Sequence, residues 1–250
     1  MKPIAALLLA AALLSGRAGA ADRPVTLATA ERAPVAYYQN GKPTGMVVDI
    51  LREAFHRIGR EVDIRLMPWP RCLAEAHSGN VDAAGAMYRT PERDEAFLIA
   101  DEPAMIQIES LFVRRGSPIR FDGDLSVLAG KSAGTVYKTS YGPRLDKAME
   151  DGLFSHAEPQ RNMTDLVKML AHGRIDVLPG DRDRVIAAAD QLGLLGEIVE
   201  LRPQVESVPG YIGFTRAHDM TALVHPFEQA LRAMKKDGAY DAILARYPRP

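Results

Sequence analysis

MPWPRCLAEAHSGNVDAAGAMYRTPER, the stretch from Met67 to Arg93, predicts a loop, a helix, a strand and the start of a second helix. Pro68 and Pro70 keep its beginning extended, because proline fixes φ and disfavours helix in the preceding residue. Trp69, between them, is therefore expected on a loop. A short helical face follows and ends at Gly79, since glycine is favoured just past a helix.

The second half of the stretch predicts a strand and a place for an anion. Apolar and small residues alternate from Val81 to Met87, which is typical of a strand in a covered sheet. Thr90 can then cap a new helix through its side-chain oxygen, and Pro91 suits the first helical position. Arg93 would lie in the first turn, beside backbone N–H groups that have no partner within the helix. Together these groups predict a site for an anion.

The start of the chain has the pattern of a secretory signal peptide. Lys2 precedes an apolar run from Ile4 to Leu14, and the small residues Ala18–Ala20 follow. This predicts cleavage after Ala20 and an exported protein. A membrane anchor is the alternative, but the run is well short of the roughly 20 apolar residues that span a bilayer.

Composition excludes several classes of function. The 31 Lys and Arg residues nearly balance the 32 Asp and Glu residues, so no positive excess indicates nucleic acid or an anionic membrane as a partner. Cys72 is the only cysteine, which precludes an intrachain disulfide and favours a packed thiol over a nucleophile. The six histidines are scattered and no HExxH motif occurs, so we expect no metal and no cofactor.

Strand and helix patterns alternate along the chain. Val25–Ala28 and Val62–Leu66 are short apolar or alternating segments. Helical spacing runs between them, from Asp49, which is expected to cap the helix, to Gly59, which is expected to end it. The Met67–Arg93 stretch continues the series. This order predicts an α/β fold with a mainly parallel central sheet.

A break in the middle of the chain predicts two lobes. The apolar segment Ile106–Val113 ends at Arg114–Pro118, where we place a lobe boundary. A second alternating series begins at Leu125, and the extended segment Pro203–Phe214 suits a return crossing between lobes. Two further helices are expected after it, from Pro226 to Met234 and across 240–247.

Two more patterns predict where a ligand would lie. Thr139 and Ser140 follow a predicted strand and stand at a helix N-terminus, a second place that favours an anion. Residues 76–85 are also echoed by residues 171–180, as helix end, glycine and strand. Open α/β sheets bind ligands beyond the C-terminal ends of their strands. The residues Tyr88–Arg93 and Asp181–Arg184 are therefore expected to face a shared cleft.

The chain resembles the bacterial solute-binding proteins of family 3, the extracytoplasmic receptors of ABC importers for polar amino acids. Five stretches occur in the family's order: GMVVDILREAFHRIG (45–59), SGNVDAAGAMYRTPER (78–93), LAGKSAG (128–134), GRIDVLPGD (173–181) and DGAYDAILARY (237–247). The resemblance implies a two-lobed periplasmic-binding-protein fold of type II, with two crossing hinge strands. Residues 21–112 and 209–250 would form lobe 1, and residues 113–208 lobe 2. It also implies a periplasmic monomer that delivers its ligand to an inner-membrane permease.

The resemblance assigns roles to individual residues. Arg93 would pair with the ligand α-carboxylate, with a planar two-bond fork that lysine lacks. Thr139 and Ser140 would donate to the same carboxylate from the second lobe; simple helix capping is the alternative, and both roles can hold together. Asp181 would receive the ligand ammonium group, and a solvated loop charge is its alternative.

Aromatic residues and extra cations complete the expected site. Tyr37, Tyr38 and Trp69 would wall the side-chain pocket, with core packing as the alternative. Tyr88 would contribute a hydroxyl or a backbone contact. Arg71 and Arg89, as further cations near the cleft, would either admit an acidic ligand or point to solvent; this question stays open in the sequence.

The expected function is capture of a small polar solute, an amino acid or a related carboxylate, without catalysis. The alternative is an enzyme on the same scaffold, resembling the periplasmic dehydratases that act on prephenate or arogenate. Such chemistry needs a general acid in the cleft. Glu158, Glu206 and Asp181 are the acids that the sequence offers for that role. A sensory domain of a membrane receptor is a third reading, but no output module is evident in the sequence.

Overall fold

The computed structural model describes residues 23–247, so the predicted signal peptide lies outside the described residues. The first part of the chain forms β1 (Val25–Thr29), β2 (Tyr37–Gln39), β3 (Lys42–Thr44), α1 (Met46–Arg57), β4 (Val62–Leu66), α2 (Trp69–His77), β5 (Ala83–Met87), α3 (Pro91–Ala96) and β6 (Phe97–Ile99). The middle part forms β7 (Met105–Arg114), β8 (Ser132–Val136), α4 (Pro143–Glu150), β9 (His156–Gln160), α5 (Met163–Ala171), β10 (Leu178–Asp181), α6 (Arg182–Gln191) and β11 (Ile198–Glu200), with short 3-10 turns at Leu125–Leu128 and Leu195–Glu197. The last part forms β12 (Glu206–Thr215), α7 (Thr221–Asp237) and α8 (Ala239–Leu244).

The first lobe is built on β1, which pairs in parallel with β4 on one side and β5 on the other. Helices α1, α7 and α8 cover one face of this sheet, where Phe55, Phe214 and Phe227 are buried and their rings are in contact. Helix α2 covers the other face and buries Cys72. The buried residues of α1 recur three or four positions apart, which explains why this segment is a helix with one apolar side.

Helix α1 begins four residues before the position that the sequence indicated. Asp49 was expected to cap it, but the cap is Gly45, whose φ of 122° favours glycine. A Cβ atom at Gly45 would lie 2.5 Å from the carbonyl oxygen of Val35. Asp49 instead accepts a hydrogen bond from the hydroxyl of Tyr247 at 2.7 Å and so ties α1 to the C-terminal part of the chain.

The second lobe repeats the same arrangement on a smaller scale. Strand β8 pairs in parallel with β9, and a bridge between Ala133 and Val177 places the start of β10 on its other side. Leu166 and Leu170 of α5 and Val185 of α6 are buried against this sheet. Parallel pairs joined through helices therefore occur in both lobes, as the alternating sequence pattern predicts.

Two ten-residue strands, β7 and β12, connect the lobes. They pair with each other antiparallel, from Met105 opposite Gly210 to Glu109 opposite Glu206. Toward the first lobe β12 also pairs with β5 and β6, and toward the second lobe β7 pairs with β10 and β11. The prediction of two crossing strands is confirmed. Because these strands run antiparallel to their neighbours, the sheet is mixed rather than mainly parallel.

Candidate functional site

A cleft with about 590 Å³ of empty space, part of it open to solvent, lies where the two lobes meet the crossing strands. Residues of both lobes line it, among them Arg32, Trp69, Tyr88 and Arg93 from the first lobe and Thr139, Ser140, Asp181 and Arg184 from the second, with Gln107 and Glu109 on β7. Six of the eight residues that were assigned a ligand contact are in this set, and Tyr37 and Tyr38 are not.

Arg93 lies in the first turn of α3, as predicted. Thr90 caps this helix and accepts a hydrogen bond from the Arg93 amide at 3.3 Å. The guanidinium donates to the Tyr88 carbonyl at 2.8 Å and stands 5.6 Å from the centre of the Trp69 ring. Burial lowers the pKa of Arg93, and no carboxylate within residues 23–247 forms an ion pair with it. A held cation of this kind keeps N–H donors for an anionic ligand.

Trp69 is the first residue of α2 rather than a loop residue. Pro68 caps this helix and Pro70 occupies its first turn, where proline needs no N–H partner. The ring nevertheless reaches the cleft and provides the aromatic face beneath Arg93. Cation–π contacts of this kind contribute about 0.5–1 kcal/mol at exposed sites and more where water is excluded.

Thr139 and Ser140 lie in the loop between β8 and α4, and they do not cap the helix. The cap is Gly142, which makes no side-chain cap bond. The Ser140 hydroxyl donates to Asp146, and the same carboxylate accepts from the Tyr141 amide at 2.7 Å. This network fixes the loop against α4. The Ser140 proton is therefore engaged, whereas the Thr139 side chain has no hydrogen bond to the described part of the chain and faces the cleft.

Asp181 ends β10 and caps α6, so the interpretation as a solvated loop charge is wrong. Its side chain is only 8% exposed, and it accepts a hydrogen bond from the Arg184 amide at 3.0 Å. The guanidinium of Arg32, from the other lobe, lies 3.8 Å from the same carboxylate oxygen. Asp181 therefore places a buried negative charge at the second-lobe side of the cleft.

Glu109 is a cleft residue that the sequence analysis missed. It lies on β7 directly opposite Asp181 in the β7–β10 register and is 2% exposed. The Tyr88 hydroxyl donates to its Oε1, while Oε2 has no partner among the described residues. Burial, together with the negative charge of Asp181, raises the pKa of Glu109 well above its usual value. An acid inside the apolar segment Ile106–Val113 was the signal that could have found it.

Arg32 and Arg184 are the other charged residues that the sequence did not nominate individually. Arg32 follows β1 in a turn. Its backbone N–H donates to the Ala36 carbonyl, and its own carbonyl accepts from the Ala36 N–H. Arg184 lies in the first turn of α6, within the Asp181–Arg184 segment that was expected to face the cleft. Burial, and then the charge of Arg32, lower the pKa of Arg184. The two arginines thus line the same cleft from different lobes.

Tyr37 and Tyr38 do not line the cleft, and this part of the prediction is not supported by the structure. Both lie on β2, which forms a small hairpin with β3 ahead of α1. The Tyr38 side chain is 48% exposed. The hairpin turns these residues away because Val35 and Ala36, immediately before them, are the buried residues of this segment.

Arg71 and Arg89 also lie outside the cleft. Arg71 pairs with Glu75 on the exposed side of α2. Arg89 pairs with Asp94 and Asp101 and stands over the Tyr211 ring. The extra cations at the site are Arg32 and Arg184 instead.

Two of the three acids nominated for an enzymatic role lie outside the cleft. Glu158 bonds to His156 on β9, and Glu206 accepts from the Arg144 amide at the start of α4. Of the three, only Asp181 lines the cleft.

Among residues 23–247, no group of histidine, cysteine, aspartate and glutamate side chains could hold a metal ion. No helix in this part of the chain has the length and apolar character needed to cross a membrane.

Comparison with known proteins gives matches over nearly all of the described chain. A family model described as bacterial extracellular solute-binding proteins, family 3, matches residues 25–249. The probable amino-acid-binding protein YxeM of Bacillus subtilis (strain 168) is 24% identical over 221 residues, which cover 88% of this chain and 81% of that protein. The probable ABC transporter extracellular-binding protein YckB of the same organism is 27% identical over 216 residues, which cover 82% of this chain and 71% of that protein.

Solved structures share the fold at low sequence identity. An ancestral arginine-binding protein bound to arginine has a TM-score of 0.75 and 22% identity, with 90% of this chain and 97% of that chain covered. At this identity the likeness extends to the arrangement of strands and helices. The roles of the charged residues in the cleft therefore have to be inferred from their positions and contacts in this structure.

Proposed function

The chain belongs to the bacterial extracellular solute-binding proteins of family 3, and from that premise we propose that it captures an α-amino acid in the cleft between its lobes. An amino acid carries a carboxylate and an ammonium group on one carbon. Arg93 and Thr139 suit the carboxylate, and Asp181 suits the ammonium group. The observation that supports this most is that Arg93, an arginine without an acidic partner in the described chain, shares one cleft with the buried carboxylate of Asp181.

Two half-sites would be brought together by closure of the lobes. Residues up to 112 and from 209 onward would form the first lobe, and residues 113–208 the second. The crossing strands β7 and β12 would act as the hinge, since they are the continuous backbone between the lobes. Closure encloses the ligand and removes water from its charges, which strengthens each charged hydrogen bond.

The ligand would be delivered to the permease of an ABC importer. The similarity to YckB, a probable ABC transporter extracellular-binding protein, and the family to which the chain belongs support this proposal. We propose a periplasmic monomer, exported through the signal peptide that the first twenty residues predict. The protein would act without catalysis, and it would use neither a metal nor a cofactor.

Identification of the bound solute tests this function. Protein purified without denaturation would be heated to release its ligand, and the released material analysed by mass spectrometry. A thermal-shift panel of amino acids would follow on the ligand-free protein. We expect a released amino acid, and an increase in Tm with the same compound. A released ligand that lacks a carboxylate would contradict the assignment of Arg93.

One observation supports the alternative function, a dehydratase that acts on prephenate or arogenate. Glu109 is a buried acid with a raised pKa in the cleft, and it keeps one oxygen without a partner in the described chain. A protonated carboxyl of this kind is suited to general acid catalysis. A turnover assay with prephenate separates the two functions, because clear product formation would overturn the proposal of a binding protein without catalysis.

A further inference from the structure

The cleft contains more positive charge than the proposed function uses. Three guanidiniums line it, those of Arg32, Arg93 and Arg184, together with the carboxyl groups of Glu109 and Asp181. A zwitterionic amino acid on Arg93 and Asp181 would leave the other two arginines without a ligand group. Its own charges cancel, so it would not offset this excess.

Arg32 and Arg184 converge on one side of the cleft. The Arg32 guanidinium lies 3.8 Å from the Asp181 carboxylate, a long ion pair that a direct hydrogen bond would bring closer. The Arg184 guanidinium has neither a hydrogen bond nor an ion pair with residues 23–247, although its main chain bonds to Asp181. Two like charges that approach each other are stabilised by an anion between them.

Glu109 offers an independent observation at the same place. Its side chain is 2% exposed and Oε2 has no partner in the described chain, while Oε1 accepts from the Tyr88 hydroxyl. Burial and the charge of Asp181 raise the pKa of Glu109 and so favour its protonated form, in which Oε2 would be the donor because Oε1 already accepts from Tyr88. A buried donor without an acceptor is costly, so a ligand oxygen that receives this proton would be favoured.

We propose that Arg32, Arg184 and Glu109 form a second carboxylate-binding position, and that the solute of this protein is therefore an acidic amino acid. This inference rests on the proposed function, which provides the places for the α-carboxylate and the ammonium group. A dicarboxylate without an amino group is disfavoured, because it has no positively charged group to pair with the Asp181 carboxylate. The two arginines would form charge-assisted bonds to the second carboxylate, one from each lobe.

The competing explanation is that Arg32 and Arg184 only balance the carboxyl groups of Asp181 and Glu109. The two explanations differ in ligand selectivity, since internal balance would not distinguish a ligand carboxylate from an amide of the same shape. Glutamate and glutamine, or aspartate and asparagine, form matched pairs for this comparison.

The test is calorimetric titration of ligand-free protein with L-glutamate, L-glutamine, L-aspartate and L-asparagine. We expect the acidic member of at least one pair to bind roughly tenfold or more tightly than its amide, as hydrogen bonds to charged groups imply. Arg184→Gln and Arg32→Gln should each remove most of this preference and change the affinity for the amide far less. Arg71→Gln, on the exposed side of α2, is the matched arginine control and should leave the preference intact.

Glu109 gives a second pair of variants. Glu109→Gln keeps a donor at the same position and should retain the preference for the acidic ligand, whereas Glu109→Ala should weaken it. Circular dichroism of each variant would establish that it is folded before titration.

The outcomes separate the two proposals. Equal affinities within both pairs, together with binding that depends on Arg93, would overturn the second carboxylate position and leave the amino acid function in place. The second carboxylate position would also be overturned if Arg184→Gln weakened the binding of the acidic amino acid and of its amide by the same factor. Absence of binding by every amino acid would overturn the proposed function as well.

Discussion

The Arg93 guanidinium is already oriented in the structure without a ligand. Its guanidinium is oriented by the Tyr88 carbonyl and lies over the Trp69 ring, so little ordering remains to be done when a ligand binds. A cation that is already positioned can direct both of its N–H donors to one carboxylate.

Arg93→Ala should therefore weaken amino acid binding severely. The ligand carboxylate would be enclosed without its partner, which costs roughly 3–5 kcal/mol and corresponds to two decades or more in Kd. Calorimetry on the wild type and the variant measures the loss directly. Arg89→Ala, an arginine whose ion pairs lie outside the cleft, is the control, and unchanged affinity in Arg93→Ala would refute the role of Arg93.

Glu109 should give the ligand-free protein a distinct pH dependence. Its pKa in the folded protein is raised, first by burial and then by the charge of Asp181. A raised pKa means that its contribution to stability is complete below the ordinary value, near 4.5, and is lost as pH rises through the folded value. Tyr88, Arg32 and Arg184 face the same carboxyl and remain present in any variant of it.

Glu109→Gln removes this titration and keeps an oxygen for the Tyr88 hydroxyl. The Tm of the variant, measured in steps upward from pH 4.5, should therefore rise relative to the wild type as pH increases. Glu95→Gln, at an exposed position on α3, should show no such trend. A constant difference between Glu109→Gln and the wild type at every pH would contradict the buried, protonated carboxyl.

At the scale of elements, the positions of strands and helices were largely predictable, because their apolar residues recur at the spacing of each element. The Met67–Arg93 stretch forms α2, β5 and the start of α3 as its pattern indicates. The first residues of helices were less predictable. Asp49 lies inside α1, and α7 begins at Thr221, five residues before Pro226, since tertiary contacts fix these boundaries.

Among the residues of the candidate site, those placed by their own segment of sequence were predictable, and those placed by contacts between distant segments were harder to predict. Arg93, Thr139 and Asp181 were predictable because each follows a strand or precedes a helix in its own segment. Arg32 was not, because it meets Asp181 only through the contact between lobes. The acid inside an apolar segment marked Glu109 as unusual, but its place in the cleft depends on the pairing of β7 with β10. Tyr37 and Tyr38 were nominated from the family resemblance, and the local hairpin places them elsewhere.

Asp82 connects elements that are distant in sequence. It is 2% exposed, accepts a two-bond fork from Arg23 at 2.6 Å, and bonds to Thr26 of β1 and His218 before α7. Burial alone would raise its pKa, but the hydrogen bonds from Arg23, Thr26 and His218 outweigh burial and hold the pKa well below its ordinary value. The stability that it contributes is therefore present above pH 3.8 and is lost as pH falls below that value.

Asp82→Asn should lower stability by about 2 kcal/mol at neutral pH, because an amide cannot accept all of these charged hydrogen bonds. Urea unfolding followed by circular dichroism measures this change. Asp63→Asn, at a half-exposed ion pair on the neighbouring strand β4, should have little effect. Equal unfolding midpoints for wild type and Asp82→Asn would show that the cluster is not stabilising.

At the scale of the whole molecule, the two lobes share one sheet through β7 and β12, and the cleft residues come from both sides of these strands. Ligand binding and closure of the lobes are therefore expected to be coupled. The chain provides its own reporter of this event, because Trp69 is the only tryptophan and lines the cleft beneath Arg93.

Addition of the cognate amino acid should change the emission of Trp69, since its ring would leave water as the lobes close. A fluorescence titration should give the same Kd as calorimetry. In Arg93→Ala the emission change should move to much higher ligand concentration. An emission that stays constant at saturating ligand would show that the solute binds away from this cleft.

A crystal structure of the protein with its solute is the decisive experiment for the proposed binding site. We predict a solute in the cleft between the lobes, with one carboxylate within hydrogen-bond distance of the Arg93 guanidinium and of Thr139, and an amino group on Asp181. A solute bound outside the cleft, or one whose carboxylate is distant from Arg93, would contradict the account.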